Sequence, residues 1–150
     1  MVRSRLLPIA GVAVLSIVLS ACSHTPTSMR TRVQQWATDQ SYGEAEANVT
    51  EDLAGIATGI RLGDLRGVRT DCIGFNTDID QIYSSLPAPD GSVTNDLNLA
   101  ITKYWAVGAQ DCYDSKSFDS AKFKGFQRDL KSGKAIYDRA ESILHGYGVA

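Results

Sequence analysis

Residues 72–112, CIGFNTDIDQIYSSLPAPDGSVTNDLNLAITKYWAVGAQDC, decide the fold. Cys72, Phe75, Ile79, Ile82 and Leu86 recur at intervals of three, four, three and four, which places them on one face of a helix, and Tyr83 extends that face. Pro87-Ala88-Pro89-Asp90-Gly91 then breaks the chain, because proline cannot continue a helix interior and glycine favours a turn. Beyond the break, Val93, Leu97, Ile101, either Tyr104 or Trp105, Gly108 and Cys112 resume the helical spacing, with Ser92 or Thr94 available as N-cap. Helix, proline turn and helix predict an antiparallel hairpin. Its arms are unequal, 15 residues before Pro87 and 21 after Gly91. The turn, or an irregular start to the second arm, must absorb the difference.

Cys72 and Cys112 sit at the far ends of the two arms. A disulfide between them would close a loop of 40 residues and contribute about 4 kcal/mol by the chain-entropy estimate. No Cys-x-x-Cys is present, and neither His24 nor His145 has ligand spacing to these cysteines. A structural staple is therefore expected in preference to a redox or metal pair.

Helical patterning continues outward from the hairpin. Val33, Trp36 and Ala37 predict a short helix over 30–42, stopping at Gly43. Val49, Leu53, Ile56 and Ile60 predict a second, starting at Asn48 or Thr50, with Glu51 and Asp52 in its first turn. Gly55, Gly59, Gly63 and Gly67 recur every four residues beside that face, among Arg61, Asp64, Arg66 and Arg69. Such charges do not belong in a bilayer, so the glycines are expected to admit another helix and to bend or break their own. Phe123, Phe126, Leu130, Gly133, Tyr137, Ala140 and Leu144 predict a last helix over 119–144. No alternating strand pattern of useful length occurs. The fold class is all-α: a four- to five-helix up-and-down bundle with one disulfide-stapled hairpin, occupying residues 29–150.

The start of the chain carries a different signal. Arg3 and Arg5 precede an apolar run, Leu6–Leu19, and small residues Ser20 and Ala21 lead to Cys22. This is the pattern of a secretory signal. The run is 14 residues long, short of the ~20 that a membrane-spanning helix needs. Leu19-Ser20-Ala21-Cys22 resembles the lipobox of bacterial lipoproteins at all four positions. That resemblance implies a diacylglyceryl thioether on Cys22 and cleavage before it. Residues 1–21 would be the signal and 22–28, Cys-Ser-His-Thr-Pro-Thr-Ser, a lipidated tether in which His24 is solvated. Two acyl chains hold a domain on a membrane where one does so only marginally. The bundle as a whole resembles small helical lipoproteins of actinobacteria and their phages, through its alanine-rich helices, the turn at 86–90 and the cysteine on either side of it. No active site carries over from that resemblance.

Charge and motif content narrow the function. Without residues 1–21 the chain keeps 129 residues, 13 basic and 17 acidic, net −4. That is the wrong sign for a general nucleic-acid binder or a polybasic membrane surface. No Gly-x-Ser-x-Gly, His-Glu-x-x-His or phosphate-cradling loop is present, and His145 reads as a helix-terminus residue. Asp71, Asp78, Asp80, Asp90, Asp96, Asp111, Asp114 and Asp119 read as caps and solvated faces. Lys122, Lys124, Arg128, Lys131, Lys134 and Arg139 interleave with Asp129, Asp138 and Glu141 on the last helix, again as a solvated face. Trp36, Tyr104, Trp105 and Tyr113 line either the core or a groove. No catalytic, cofactor or metal residue is expected. The expected function is that of an exported, membrane-anchored envelope lipoprotein that binds another envelope protein without enzymatic activity. Carriage of a small apolar ligand is one alternative, and exclusion of superinfecting phages another.

Overall fold

The computed structural model describes residues 27–149; the signal segment, Cys22 and most of the tether lie outside the described residues. The described chain is helical nearly throughout: α1 (Met29–Asp39), α2 (Tyr42–Leu62), α3 (Leu65–Ser84), α4 (Gly91–Leu99), a π-helical stretch (Ala100–Trp105), α5 (Ala106–Asp114) and α6 (Ala121–Tyr147). Right-handed helical backbone runs unbroken from α4 through the π stretch into α5, so these three form one rod. Five rods result, α1 the shortest, and the fold is an all-α bundle. No described helix is long and apolar enough to cross a membrane.

Helix ends follow from local chemistry, and several differ from the sequence expectation. The Ser28 hydroxyl accepts the Thr31 N–H at 3.2 Å and starts α1. Ser41, at φ +52°, separates α1 from α2. Gly43 is therefore no stop: it lies in the first turn of a helix that begins six residues before Asn48. Burial explains the earlier start. Tyr42 and Ala45 continue the Val49 face and are almost wholly buried, with the Tyr42 ring 5.2 Å from that of Trp36. Glu51 and Asp52 consequently sit in mid-helix. Gly63 ends α2 at φ +70°, a left-handed conformation that glycine adopts at little cost. Asp64 then caps α3, its carboxylate accepting the Gly67 N–H at 2.9 Å.

The turn 85–90 leads into a cap by Asp90, which accepts from Ser92 N–H (2.7 Å) and Val93 N–H (3.2 Å). Neither Ser92 nor Thr94 fills that role; the Thr94 hydroxyl instead donates back to the carbonyls of Ala88 and Asp90. The irregularity of the longer arm falls in its middle, not at its start. Leu97, Ile101, Trp105, Ala109 and Cys112 are all buried, spaced four, four, four and three. That spacing exceeds the α-helical 3.6, and the wider π turn keeps these side chains on one face. Trp105 consequently takes the core position and Tyr104 only half of one. α4 packs mainly on α6, whereas α5 packs on α3 and α6 together. Tyr83, expected on the core face of α3, is 46% exposed.

The core is continuous along the bundle. At its centre Trp105 contacts Phe75 (ring centroids 5.2 Å apart) and Tyr137 (4.8 Å), and its indole N–H donates to the Leu130 carbonyl at 3.2 Å. The indole lies directly on Gly133, where a Cβ would collide with it. Nearer one end, Cys72 and Cys112 form the expected disulfide, buried, tying α3 to α5 with Cα atoms 6.3 Å apart.

Candidate functional site

Three polar features stand out around this core. The first is the surface over the disulfide. Arg66, Arg69, Ile73 and Thr77 recur along α3 on a helical stripe, and α5 lays Gln110 and Tyr113 beside it. Two adjoining shallow grooves, of about 330 and 180 Å³, share Ile73 and Tyr113 in their walls. Ile73 is 51% and Tyr113 43% exposed. Arg69 is pinned there: its Nε–H donates to the Tyr113 carbonyl at 2.7 Å, and its guanidinium lies over the Tyr113 ring, 5.2 Å from the centroid. Neither groove has a carboxylate in its lining.

The second is an acidic seam between α2 and α3. Two Asp-x-x-Gly steps, 52–55 and 71–74, face each other on antiparallel helices. The Asp52 carboxylate covers Gly74, whose Cβ position lies 2.8 Å from its Oδ1; the Asp71 carboxylate covers Gly55, again at 2.8 Å. Glu51, Asn48 and Asp78 complete the lining. Asp52 Oδ2 is buried without a hydrogen-bond partner. Its carboxyl is pushed up to about 7 by burial, then by the neighbouring Asp78, with Asp71 and Glu51 adding repulsion. Asp71 is raised as well, by burial and then by Asp64.

The third is a buried trio joining α2 to α6. The Tyr42 hydroxyl donates to the Glu141 carboxylate, and the hydroxyls of Tyr42 and Tyr137 lie 3.2 Å apart. Burial raises both phenols, so they stay protonated. Burial also raises Glu141, with the tyrosine hydroxyls opposing it. His145, exposed in the last turn of α6, lies 3.8 Å from Glu141.

The aromatic residues divide between core and surface. Trp36 and Trp105 are core residues, the Trp36 indole N–H donating to the Ser85 carbonyl at 2.8 Å. Tyr113 alone of the four is an exposed surface residue. The acids divide too. Asp64 and Asp90 are caps. Asp96 pairs with Arg139 at 2.8 Å and Asp114 with Lys122 at 2.7 Å. Asp71 and Asp78, expected on solvated faces, join the seam instead. Asp52 was legible only as a first-turn residue, and the signal that marks it is the repeated Asp-x-x-Gly step. The signal for Arg69 is its three-residue spacing from Arg66 together with Ile73. Among the described residues no three His, Cys, Asp or Glu side chains converge as a metal site would require. No protein-family model matches the chain, and neither a curated protein nor a solved structure matches it.

Proposed function

We propose that this protein is an exported lipoprotein of the cell envelope, anchored through a diacylglyceryl group on Cys22, whose bundle binds another envelope protein and catalyses no reaction. One observation carries the binding part: two large, half-exposed side chains, Ile73 and Tyr113, lie together on a face whose two helices are joined by the Cys72–Cys112 disulfide. Tyrosine and arginine are the residues that most often dominate protein–protein contacts, and a pre-ordered face loses little freedom on binding.

Placement supports the same reading. Arg30, at the start of α1, donates to the carbonyls of Gly146 and Tyr147, and the Tyr147 hydroxyl donates to Asp90. The start of α1 therefore lies at the pole of the 85–90 turn, where a tether on residues 22–28 would join the bundle. Arg66 and Tyr113 lie toward the opposite pole, beyond most of the 20 residues of α3, a helix about 30 Å long. An anchor at one pole would leave this face clear of the bilayer. The filled core around Trp105 favours partner binding over carriage of a small ligand. The Tyr42–Tyr137–Glu141 trio closes on itself and joins helices, which suits a structural role.

Two measurements test the proposal. Labelled palmitate should mark the protein, and Cys22→Ser should abolish both the label and membrane fractionation; unchanged fractionation would refute the anchor. An envelope protein should co-purify with the intact chain and be lost from the Ile73→Glu variant. If nothing co-purifies in a manner sensitive to this face, the binding reading falls.

A further inference from the structure

We infer that the face over the Cys72–Cys112 disulfide receives an acidic segment of its protein partner, one in which an apolar side chain sits beside carboxylates; this rests on the protein-binding reading above. The apolar half of the match is Ile73 with the ring of Tyr113. The charged half is Arg66 and Arg69. Arg69 spends its Nε–H on the Tyr113 carbonyl, while its two terminal nitrogens have no acceptor among the described residues. Arg66 is exposed, and its side chain makes no hydrogen bond or ion pair among the described residues; only its carbonyl is engaged, by the Thr70 hydroxyl at 3.2 Å. Asp114, the acid that senses Arg69, is already held by Lys122 at 2.7 Å and by Gln110 at 3.2 Å. Neither Arg66 nor Arg69 therefore has a carboxylate at ion-pair distance among the described residues, whereas Lys122 is paired.

Contrast within the molecule sharpens the assignment. The described grooves elsewhere on the bundle are lined by Glu44, by Glu51, Asp64 and Asp71, or by Glu51, Asp52, Asp71 and Asp78. The grooves over the disulfide carry two arginines and no acid, on a chain whose charge without the signal segment is −4. A guanidinium that is already oriented offers a planar pair of N–H donors to a carboxylate. Stacking on Tyr113 fixes that orientation in advance, so less freedom is lost on binding. Two arginines over so short a stretch are too few to track a nucleic-acid backbone.

The experiment is site-specific photo-crosslinking of the full-length protein in the cells that make it. A benzophenone amino acid replaces Ile73 in one strain and Ala135, on the exposed side of α6, in a control strain. The crosslinked peptides are then sequenced by mass spectrometry. The expected result is a protein adduct at position 73 whose segment carries Asp or Glu next to an apolar residue. Arg66→Glu with Arg69→Glu should cut its yield by tenfold or more, while Arg66→Lys with Arg69→Lys should retain part of it. Arg66→Glu alone, at an exposed side chain that holds nothing in place, should lower the yield without affecting the fold, as judged by circular dichroism. An adduct to lipid, to a segment without acids, or one indifferent to charge reversal overturns the inference. Adducts at 135 alone would leave protein binding standing and overturn this surface. No protein adduct at either position would overturn both.

Discussion

Trp105 on Gly133 and Asp52 on Gly74 are the same construction with opposite contents. In each, a glycine in one helix forms the seat for a side chain from another, because a Cβ there would meet it. At the centre of the bundle the seated group is an indole, apolar around its rim and with its N–H satisfied by Leu130. In the α2–α3 seam it is a carboxylate with a buried oxygen left unpartnered and other carboxylates around it. A seat of this kind sets how closely two helices approach. The seated group decides whether that approach stabilises the fold at every pH or only where a proton is available.

Trp105→Ala should remove about 4 kcal/mol of stability in denaturant titration, since it empties the centre of the core. A loss under ~1 kcal/mol would mean that the indole is not what holds the centre of the core together. Replacing both Cys72 and Cys112 by alanine should cost up to about 4 kcal/mol, read as a fall in thermal midpoint, because the bridge joins the α3 of the acidic seam to the α5 that adjoins the indole. Gly133→Ala should cost about 2 kcal/mol, since a rigid ring in a packed core must move. Gly74→Ala should be neutral or gain up to ~1 kcal/mol, because a carboxylate end can swing aside and alanine is the better helix former. Equal losses at the two glycines would erase the distinction.

The smallest effect is in pH. The Asp52 carboxyl stands at about 7 in the fold, above the ~4 of an unfolded chain. The folded state therefore binds its proton more tightly. The resulting stability is fully present below ~4 and is lost as pH rises through about 7. Asp52→Asn should flatten this dependence, gaining about 1 kcal/mol at pH 8 after allowance for solvent screening and nothing at pH 4. Unfolding curves collected across that range give the check; parallel profiles for the two proteins would rule out Asp52 as the source.

Legibility in the sequence followed how regular each helix is. The faces of α3 and α6 were readable in the main, Tyr83 apart, because Phe75, Ile79 and Ile82, or Phe126, Ala140 and Leu144, obey the helical repeat and are buried as that repeat requires. The start of α2 was not readable, because Tyr42 joins the core only once Trp36 lies against it. The choice between Tyr104 and Trp105 was open for a similar reason: a π turn lengthens the repeat, and nothing local announces it. Of the candidate surface, the cysteine staple was visible and Tyr113 was left between core and groove, whereas the pinning of Arg69 needs a carbonyl 44 residues away.

Helical class, the 87–91 break and the pairing of Cys72 with Cys112 could be read from the sequence alone, because periodicity, proline and loop closure act through covalent neighbours and chain length. Only the tertiary structure decided that Asp52 and Asp71 share one seam, that the indole rests on Gly133, and that Arg69 and Tyr113 face outward together. Each of these depends on the register between two helices, and that register is set by how the core fills.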